Sequence, residues 1–212
     1  MSDSTGAFGQ AKYQVRFDWG AAGAARVVPG AHVVVLVDAL SFTTAAVVAA
    51  EGRTDATTDG AAVGDVHAAA LAVSLADAGV VVLAASLRNR TAVARRILAL
   101  QEQRGERTIV AVIAAGEPAA TDGGTRFTIE DQLTAGAVID ALVALGIDHT
   151  SPEAAVATAA FEGLEHAVVH LIGASGSGAE LTAAGRRADA RLATERDVTT
   201  VVPEWRDGGF GV

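Results

Sequence analysis

Four acidic residues lie where apolar runs end or where a helical pattern begins. Asp38 follows the run Val33–Val37, Glu117 follows Val110–Ala115, and Glu130 and Asp131 open a strongly helical segment. Mg²⁺ prefers hard oxygen ligands, and it usually takes one or two protein carboxylates together with water and substrate phosphate. These four carboxylates are therefore candidate metal ligands, with Asp38 and Glu117 as candidate catalytic acid or base. Glu130 and Asp131 also fit a structural role, because the helix dipole favours acidic residues at a helix start.

A second group of polar residues is suited to holding an anion. Unpaired N–H groups at a helix start, together with hydroxyl groups, can bind a phosphate or a sulfonate, and arginine offers a two-pronged fork. The candidates are Ser41, Thr43 and Thr44 at one predicted helix start, and Arg88 with Asn89 after the next apolar run. A helix cap and a surface salt bridge are the alternative roles for these side chains.

The glycine-rich segment Gly173–Gly178 follows an apolar run and precedes a helical pattern. On its own this pattern is similar to a dinucleotide-binding turn, and it keeps a dinucleotide-dependent oxidoreductase open as an alternative function. The position is unusual, because dinucleotide folds carry the turn in their first βα unit. Ser177 and Gly178 are also candidates for binding an anion, and a plain loop is the structural alternative.

The apolar runs that carry these residues are typical of buried parallel strands. Runs of β-branched residues that end at a polar residue and lead into a helical pattern predict βα units. We therefore expect an α/β fold: a central mixed, mostly parallel sheet flanked by helices in three layers, with a helical C-terminal part. The predicted strands are 32–38, 80–85 and 108–114, with an edge strand in 13–19, a short strand at 127–129 and an extended piece at 199–203.

In such a sheet the ligand site lies beyond the carboxyl ends of the strands. We expect Asp38, Arg88, Asn89 and Glu117 to gather along that rim. Residues 1–11 are predicted to be a flexible tail, and residues 12–212 a single domain with a possible division into two lobes near 116–130.

Composition limits the classes of function. The 212 residues have a net charge of −9, which argues against nucleic-acid binding. Cysteine is absent, so thiol chemistry and disulfides are excluded. The N-terminal residues lack a secretory signal, and the apolar stretches are shorter than the roughly 20 residues of a membrane span. We expect a cytoplasmic protein without membrane partners.

Several segments, taken in order, resemble the ComB-type 2-phosphosulfolactate phosphatases, particularly their actinobacterial branch. The similar pieces are Val15–Gly20, Val37–Thr44, Ser86–Ala94, Ala115–Glu117, Glu130–Asp131, Ala135–Ala137, Ser177–Leu181, Ala188–Asp189 and Val202–Pro203. The resemblance implies an α/β fold, a Mg²⁺-dependent phosphomonoesterase and an acidic active site. It also implies a small anionic phosphorylated substrate similar to 2-phosphosulfolactate, and a possible homodimer.

Two differences from the family pattern keep a second function open. The segment 51–79 is short and lacks the family's Asn-Gly motif, and Ala179 stands where the family has arginine. The alternative is a catalytically impaired relative that keeps the fold and binds an anion without turnover.

Overall fold

The computed structural model describes residues 6–52, 66–119 and 124–212, which fold around a six-stranded sheet of order β1-β4-β2-β3-β7-β8. Its first four strands are parallel, whereas β7 and β8 are antiparallel to their neighbours. The expected mixed, mostly parallel sheet is therefore confirmed. The strands are β1 (Val15–Trp19), β2 (Val33–Val37), β3 (Val81–Ala85), β4 (Val110–Ala114), β7 (Glu204–Arg206) and β8 (Gly209–Gly211), and β5 (Glu117–Pro118) pairs with β6 (Thr125–Arg126) in a separate ribbon.

Helices cover both faces of this sheet and form the C-terminal part. They are α1 (Gly20–Val27), α2 (Phe42–Ala50), α3 (Val66–Ala76), α4 (Arg90–Arg104), α5 (Ile129–Ala144), α6 (Pro152–Leu164), α7 (Val168–Ala174), α8 (Gly176–Ala183) and α9 (Arg187–Ala193). Short 3₁₀ turns occur at Ala7–Gly9, Leu87–Asn89 and Glu165–Ala167.

Strand β2 shows how the sequence produces three layers. All five of its residues are buried, and successive side chains of a strand point to opposite faces. Val35 packs on one face with Val138 of α5, whereas Leu36 packs on the other face with Val27 of α1. A strand with apolar residues at every position therefore requires helices on both faces, as parallel sheets do.

The C-terminal helices bury a third, smaller core against α5. Leu133 and Ala137 of α5 pack in it with Phe161, Val168 and Ile172. The fold thus extends beyond the sheet, and α7 to α9 are placed near the N-terminal end of α5.

The chain leaves β2 and β4 towards opposite faces of the sheet. Phe42 at the start of α2 packs into the core on the α1 and α3 face, whereas α5, which follows β4, packs on the opposite face. Strands β2 and β4 are neighbours, so a crevice opens between their carboxyl ends, where open α/β sheets bind their ligands.

Three predicted elements are corrected by the structure. Residues 127–129 are not a strand; the strand lies at Thr125–Arg126, and Ile129 already belongs to α5. The extended piece at 199–203 precedes the strands β7 and β8 rather than forming one. Thr43 and Thr44 lie inside α2, where each hydroxyl donates to a backbone carbonyl of the preceding loop instead of capping the helix.

The structure describes only part of the predicted tail, residues 1–11, and only part of the short segment 51–79. Residues 1–5 and 53–65 lie outside the described residues. Gln10 is buried and exchanges hydrogen bonds with the backbone of Phe17, donating at 2.9 Å and accepting at 3.0 Å. The division of the chain at residue 11 stays a prediction.

One stretch of the described chain, Pro152–Ala174, is long and apolar enough to cross a membrane. Such a stretch is weak evidence for a span, because core helices of soluble proteins have the same length and composition. Here 28% of the apolar window is buried inside the protein, and α6 contributes Ala154, Ala157 and Phe161 to the core.

Candidate active site

Asp131 joins the two loops that follow β2 and β4. Its Oδ1 accepts a hydrogen bond from the N–H of Ala39 at 2.7 Å, and its Oδ2 accepts one from the N–H of Gly116 at 2.9 Å. Burial raises the pKa of Asp131 to about 7, and the charge of Glu130 raises it as well, while the two backbone hydrogen bonds act in the opposite direction. This side chain therefore fixes the shape of the rim.

Gly116 can take part in this junction because it has no side chain. Its φ is +61°, and a Cβ atom there would lie 2.6 Å from the carbonyl oxygen of Arg126. Only glycine combines that backbone conformation with so close an approach.

Asp38 organises the loop between β2 and α2. Its Oδ1 accepts a hydrogen bond from the N–H of Phe42 at 3.2 Å. Its backbone N–H donates to the Thr43 hydroxyl at 2.9 Å, and that hydroxyl donates back to the Asp38 carbonyl at 2.7 Å. Both residues are buried, so this loop is held tightly at the end of β2.

Glu117 lies on the β5–β6 ribbon, directly after β4. Its Oε2 accepts from Arg126, the residue opposite it in the ribbon, and its Oε1 accepts from the Ser177 hydroxyl at 2.7 Å. The carboxylate thereby connects the rim of the sheet to the first turn of α8.

A pocket of about 470 Å³ opens beside these residues. It is lined by two hydroxyl groups and by charges of both signs; the lining residues are Leu40, Ser41, Val66, His67, Glu117, Pro118, Ser177, Glu180, Leu181, Ala184 and Arg186. The structure thus brings Ser41, Glu117 and Ser177 to one pocket at the strand ends.

Glu130 differs from the other three acidic candidates. It is 3% exposed, yet its carboxylate has no hydrogen bond or ion pair within the described part of the chain. On a helix, Glu130 lies on the same face as Leu133 and Ala137, which pack against α7. Among the described residues, its oxygens are not fully buried atoms that lack a partner, so a cation bound at Glu130 stays a prediction.

Arg88 and Asn89 lie at the strand-end rim, but both are engaged elsewhere. Arg88 is 1% exposed, binds Glu51 through Nη2 at 3.0 Å, and also donates to Glu195. Asn89 accepts from the N–H of Ser86 and donates to the carbonyls of Ala84 and Val201. Neither residue is among the described residues that line the pocket.

The glycine-rich segment lies between two helices. Helix α7 ends at Ala174, and Ser175 caps α8 by accepting from the N–H of Gly178 at 3.0 Å. A dinucleotide-binding turn requires a preceding strand, which is absent here, and the Gly178 N–H already has an acceptor. Thr44 is not among the described residues that line the pocket; it lines a small adjoining cavity with Ser41, Arg186 and Asp189.

The described residues could hold a magnesium ion only through one or two carboxylates, with other ligands completing its coordination. Within residues 6–52, 66–119 and 124–212, no three His, Asp or Glu side chains form a group that could hold a metal. Mg²⁺ commonly takes one or two protein carboxylates, and Asp38 and Glu130 stay candidate ligands, although neither is among the described residues that line the pocket. The shared four-carboxylate site stays a prediction.

Two cations of this site were missed by sequence reasoning. Arg126 pairs with Glu117, and Arg186 lines the pocket and binds Asp189 at 2.7 Å. Arg126 ends the loop that Glu117 begins, but a two-residue ribbon leaves no periodic signal. Arg186 precedes Asp189 by three residues, a spacing that pairs side chains on a helix.

Comparison with known proteins favours the phosphatase family over the dinucleotide-dependent oxidoreductase. The family model described as 2-phosphosulpholactate phosphatase matches residues 57–208. The chain belongs to the 2-phosphosulpholactate phosphatase family. A search of the curated proteins found no significant match. Membership in this phosphatase family agrees with the resemblance seen in the sequence and with the polar pocket at the strand ends.

Proposed function

We propose that this protein is a phosphatase that hydrolyses a small phosphorylated acid, similar to 2-phosphosulfolactate, in a Mg²⁺-dependent reaction in the cytoplasm. The observation that carries this proposal is the pocket between the carboxyl ends of β2 and β4, where Ser41, Glu117 and Ser177 meet Arg186. Hydroxyl groups, a carboxylate and an arginine suit a phosphorylated acid.

In this proposal, water attacks phosphorus, the bond between phosphorus and the ester oxygen breaks, and inorganic phosphate and an alcohol leave. Ser41 and Ser177 would donate hydrogen bonds to phosphoryl oxygens. Glu117 would take the proton of the attacking water at Oε1, the atom that now accepts from Ser177, and the ester oxygen would take a proton from solvent water as it leaves. Attack by Asp38 in place of water is the other route that the residues allow.

Magnesium would be held by Asp38 and Glu130, with water and substrate oxygens completing its shell. The bound cation would neutralise charge on the phosphoryl oxygens. Asp131 would act on the geometry alone, because both of its oxygens accept backbone N–H groups.

The test is a panel of phosphomonoesters that includes carboxylated and sulfonated compounds, assayed with Mg²⁺ and with a chelator. We expect turnover only with Mg²⁺, and a loss of about 100-fold or more in Asp38→Asn. Asp148→Asn is the matched control, since this exposed residue lies near the opposite end of β1. Unchanged turnover in Asp38→Asn would remove that residue from the mechanism.

Magnesium binding has its own readout. Titration calorimetry should detect Mg²⁺ binding to the unmodified protein and weaker binding to Glu130→Gln. Equal binding by both proteins would exclude Glu130 as a ligand.

A second candidate function is an anion-binding relative without turnover. It is favoured by Glu117, whose two oxygens both accept hydrogen bonds, from Arg126 and from Ser177. The same panel separates the two functions, because a binding protein would retain phosphorylated acids without releasing phosphate. The homodimer also stays a proposal, and light scattering in solution tests it.

A further inference from the structure

The pocket runs along one face of α8. Ser177, Glu180, Leu181 and Ala184 all line it, and this spacing places them on the same side of a helix. A helix rises about 1.5 Å per residue, so Ser177 and Ala184 are about 10 Å apart along the axis. The pocket therefore has two ends, one at Ser177 and one beyond Ala184.

Each end carries an arginine paired with a carboxylate, and the first end also carries a hydroxyl group. At the first, Ser177 and Arg126 both bind Glu117. At the second, Arg186 follows the end of α8 and binds Asp189. Glu180 lies between them on the pocket wall.

Arg186 is held so that one edge of its guanidinium remains available. Its backbone N–H donates to the carbonyl of Leu181 at 2.8 Å, and its Nε donates to Asp189 Oδ2 at 2.7 Å. Its two Nη groups make no hydrogen bond with any residue that the structure describes. The side chain is 25% exposed, so the free edge is restrained yet reachable.

We infer that Arg186 is the specificity-determining residue that binds the second anionic group, a carboxylate or a sulfonate, of a substrate whose phosphate lies at the Ser177 end. This inference rests on the proposed function. A guanidinium fixed through Nε presents its two Nη groups as a fork, which matches the paired oxygens of such an anion. Glu180, on the pocket wall, repels an anion that lacks this contact.

The experiment compares 2-phospholactate with isopropyl phosphate, which has a methyl group in place of the carboxylate. Binding is measured by calorimetry and turnover by phosphate release, for the unmodified protein, Arg186→Gln and Arg187→Gln. Arg187 is the matched control, because it is the next residue and lines a different cavity beside His170.

We expect the unmodified protein and Arg187→Gln to prefer 2-phospholactate, and Arg186→Gln to lose that preference by about tenfold to 100-fold. The loss should come from the carboxylated compound, with isopropyl phosphate little affected. The inference would be overturned if Arg186→Gln still prefers 2-phospholactate as strongly as the unmodified protein does. It would also be overturned if the unmodified protein shows no preference between the two compounds.

The two readouts separate this inference from the proposed function. Selective binding of 2-phospholactate without phosphate release would refute the phosphatase function and support the role of Arg186. Phosphate release with equal binding of both compounds would support the phosphatase function and refute the role of Arg186. If Arg186→Gln fails to fold, Arg186→Lys decides: it keeps the charge but lacks the fork, so part of the preference should be lost. Full preference in Arg186→Lys would contradict the fork.

Discussion

Asp131 occupies the junction of two strand-end loops, and its chemistry follows from that position. A carboxylate has two oxygens that accept hydrogen bonds and no donor, so it can receive the N–H of Ala39 and that of Gly116 together. Sequence reasoning gave Asp131 two roles: a candidate ligand of Mg²⁺, and a structural residue at a helix start. Its contacts show that it positions the loops around the pocket, and its role in binding Mg²⁺ stays a prediction.

Replacing Asp131 with asparagine should therefore destabilise the protein. The amide presents one acceptor and one donor, so one of the two buried N–H groups loses its acceptor. We expect the free energy of unfolding in urea to fall by about 1–3 kcal/mol.

Asp140→Asn is the control for that variant. Asp140 lies on the same helix, and its ion pair with Arg90 is partly exposed, so the same substitution should cost about 1 kcal/mol or less. Equal losses in Asp131→Asn and Asp140→Asn would contradict the role of Asp131 at the junction.

At the scale of elements, the contact between α5 and α6 depends on a missing side chain. A Cβ atom at Gly136 would lie 2.1 Å from the carbonyl oxygen of Ala157 and 2.9 Å from the Cβ of Phe161. The backbones of the two helices approach closely there, and this contact carries the third core on which α7 packs.

Gly136→Ala should push these helices apart and lower the free energy of unfolding by about 1–3 kcal/mol. Gly163→Ala is a matched control on α6, where an added Cβ meets nothing within 4 Å. Because alanine favours helices over glycine, that variant should be neutral or more stable by up to about 1 kcal/mol. Thermal unfolding followed by circular dichroism measures both variants, and a neutral Gly136→Ala would refute the close approach.

The starts of β2 and β4 are joined by a histidine. The Nδ1 atom of His32 accepts the N–H of Ile109 at 2.9 Å, which requires an unprotonated Nδ1. Burial lowers the pKa of His32 below 6.5, and the positive charge of Arg104 lowers it further. The unfolded chain then binds this proton more readily than the folded chain does.

His32 should make stability depend on pH. Its contribution is complete above pH 6.5, the unfolded value, and is lost as the pH falls from there through the lower folded value. The free energy of unfolding in urea, measured between about pH 5 and 8, should show this loss in the unmodified protein. His32→Asn should not show it, because the Oδ1 of asparagine can accept the same hydrogen bond and does not titrate. Equal pH slopes in the two proteins would refute the assignment.

For the molecule as a whole, Arg88 joins parts of the chain that are distant in sequence. It follows β3, binds Glu51 after α2, and binds Glu195 after α9. Sequence reasoning predicted that Arg88 binds a ligand anion at the strand-end rim. In the structure its guanidinium binds the carboxylates of Glu51 and Glu195. The C-terminal helices are thereby attached to the sheet by charge as well as by apolar packing.

Arg88→Met should destabilise the protein by about 1.5–3 kcal/mol, because Glu51 and Glu195 would lose their charged hydrogen bonds from the guanidinium. Arg26→Met is the control, since Arg26 is 44% exposed in its pair with Asp18 and should cost about 1 kcal/mol or less. Chemical unfolding measures both variants. A small loss in Arg88→Met would show that this cluster does not hold the C-terminal helices.

The sheet and its helices follow from the sequence because their signals are local and strong. Val33–Val37 is apolar at every position, so a strand buried on both faces is its consistent interpretation. Asp207 and Gly208 form a turn in which both φ angles are positive, and an Asp-Gly pair is a sequence signal for a hairpin. The sequence analysis did not predict the short strands β7 and β8 on either side of this turn. Short strands carry too little periodicity to be recognised.

The partners of polar side chains were much harder to predict. Asn89 has the residue type of a helix cap, but its side chain binds Val201, more than a hundred residues away. The sequence gives no signal that Arg186 lines the pocket, because its position there depends on how α8 and α9 pack. Sequence spacing identifies which residues can do chemistry, and tertiary packing decides which of them meet.

The β7–β8 hairpin bears on how the protein behaves in concentrated solution. It covers the open side of β3, while the backbone at His149 and Ser151 bonds to β1 on the opposite side. These contacts pair Val15 of β1 and Leu83 and Ala84 of β3, and they shorten the exposed strand edges through which sheets aggregate. Substitutions that unfold the hairpin should therefore reveal themselves as precipitation before they reduce the helical content.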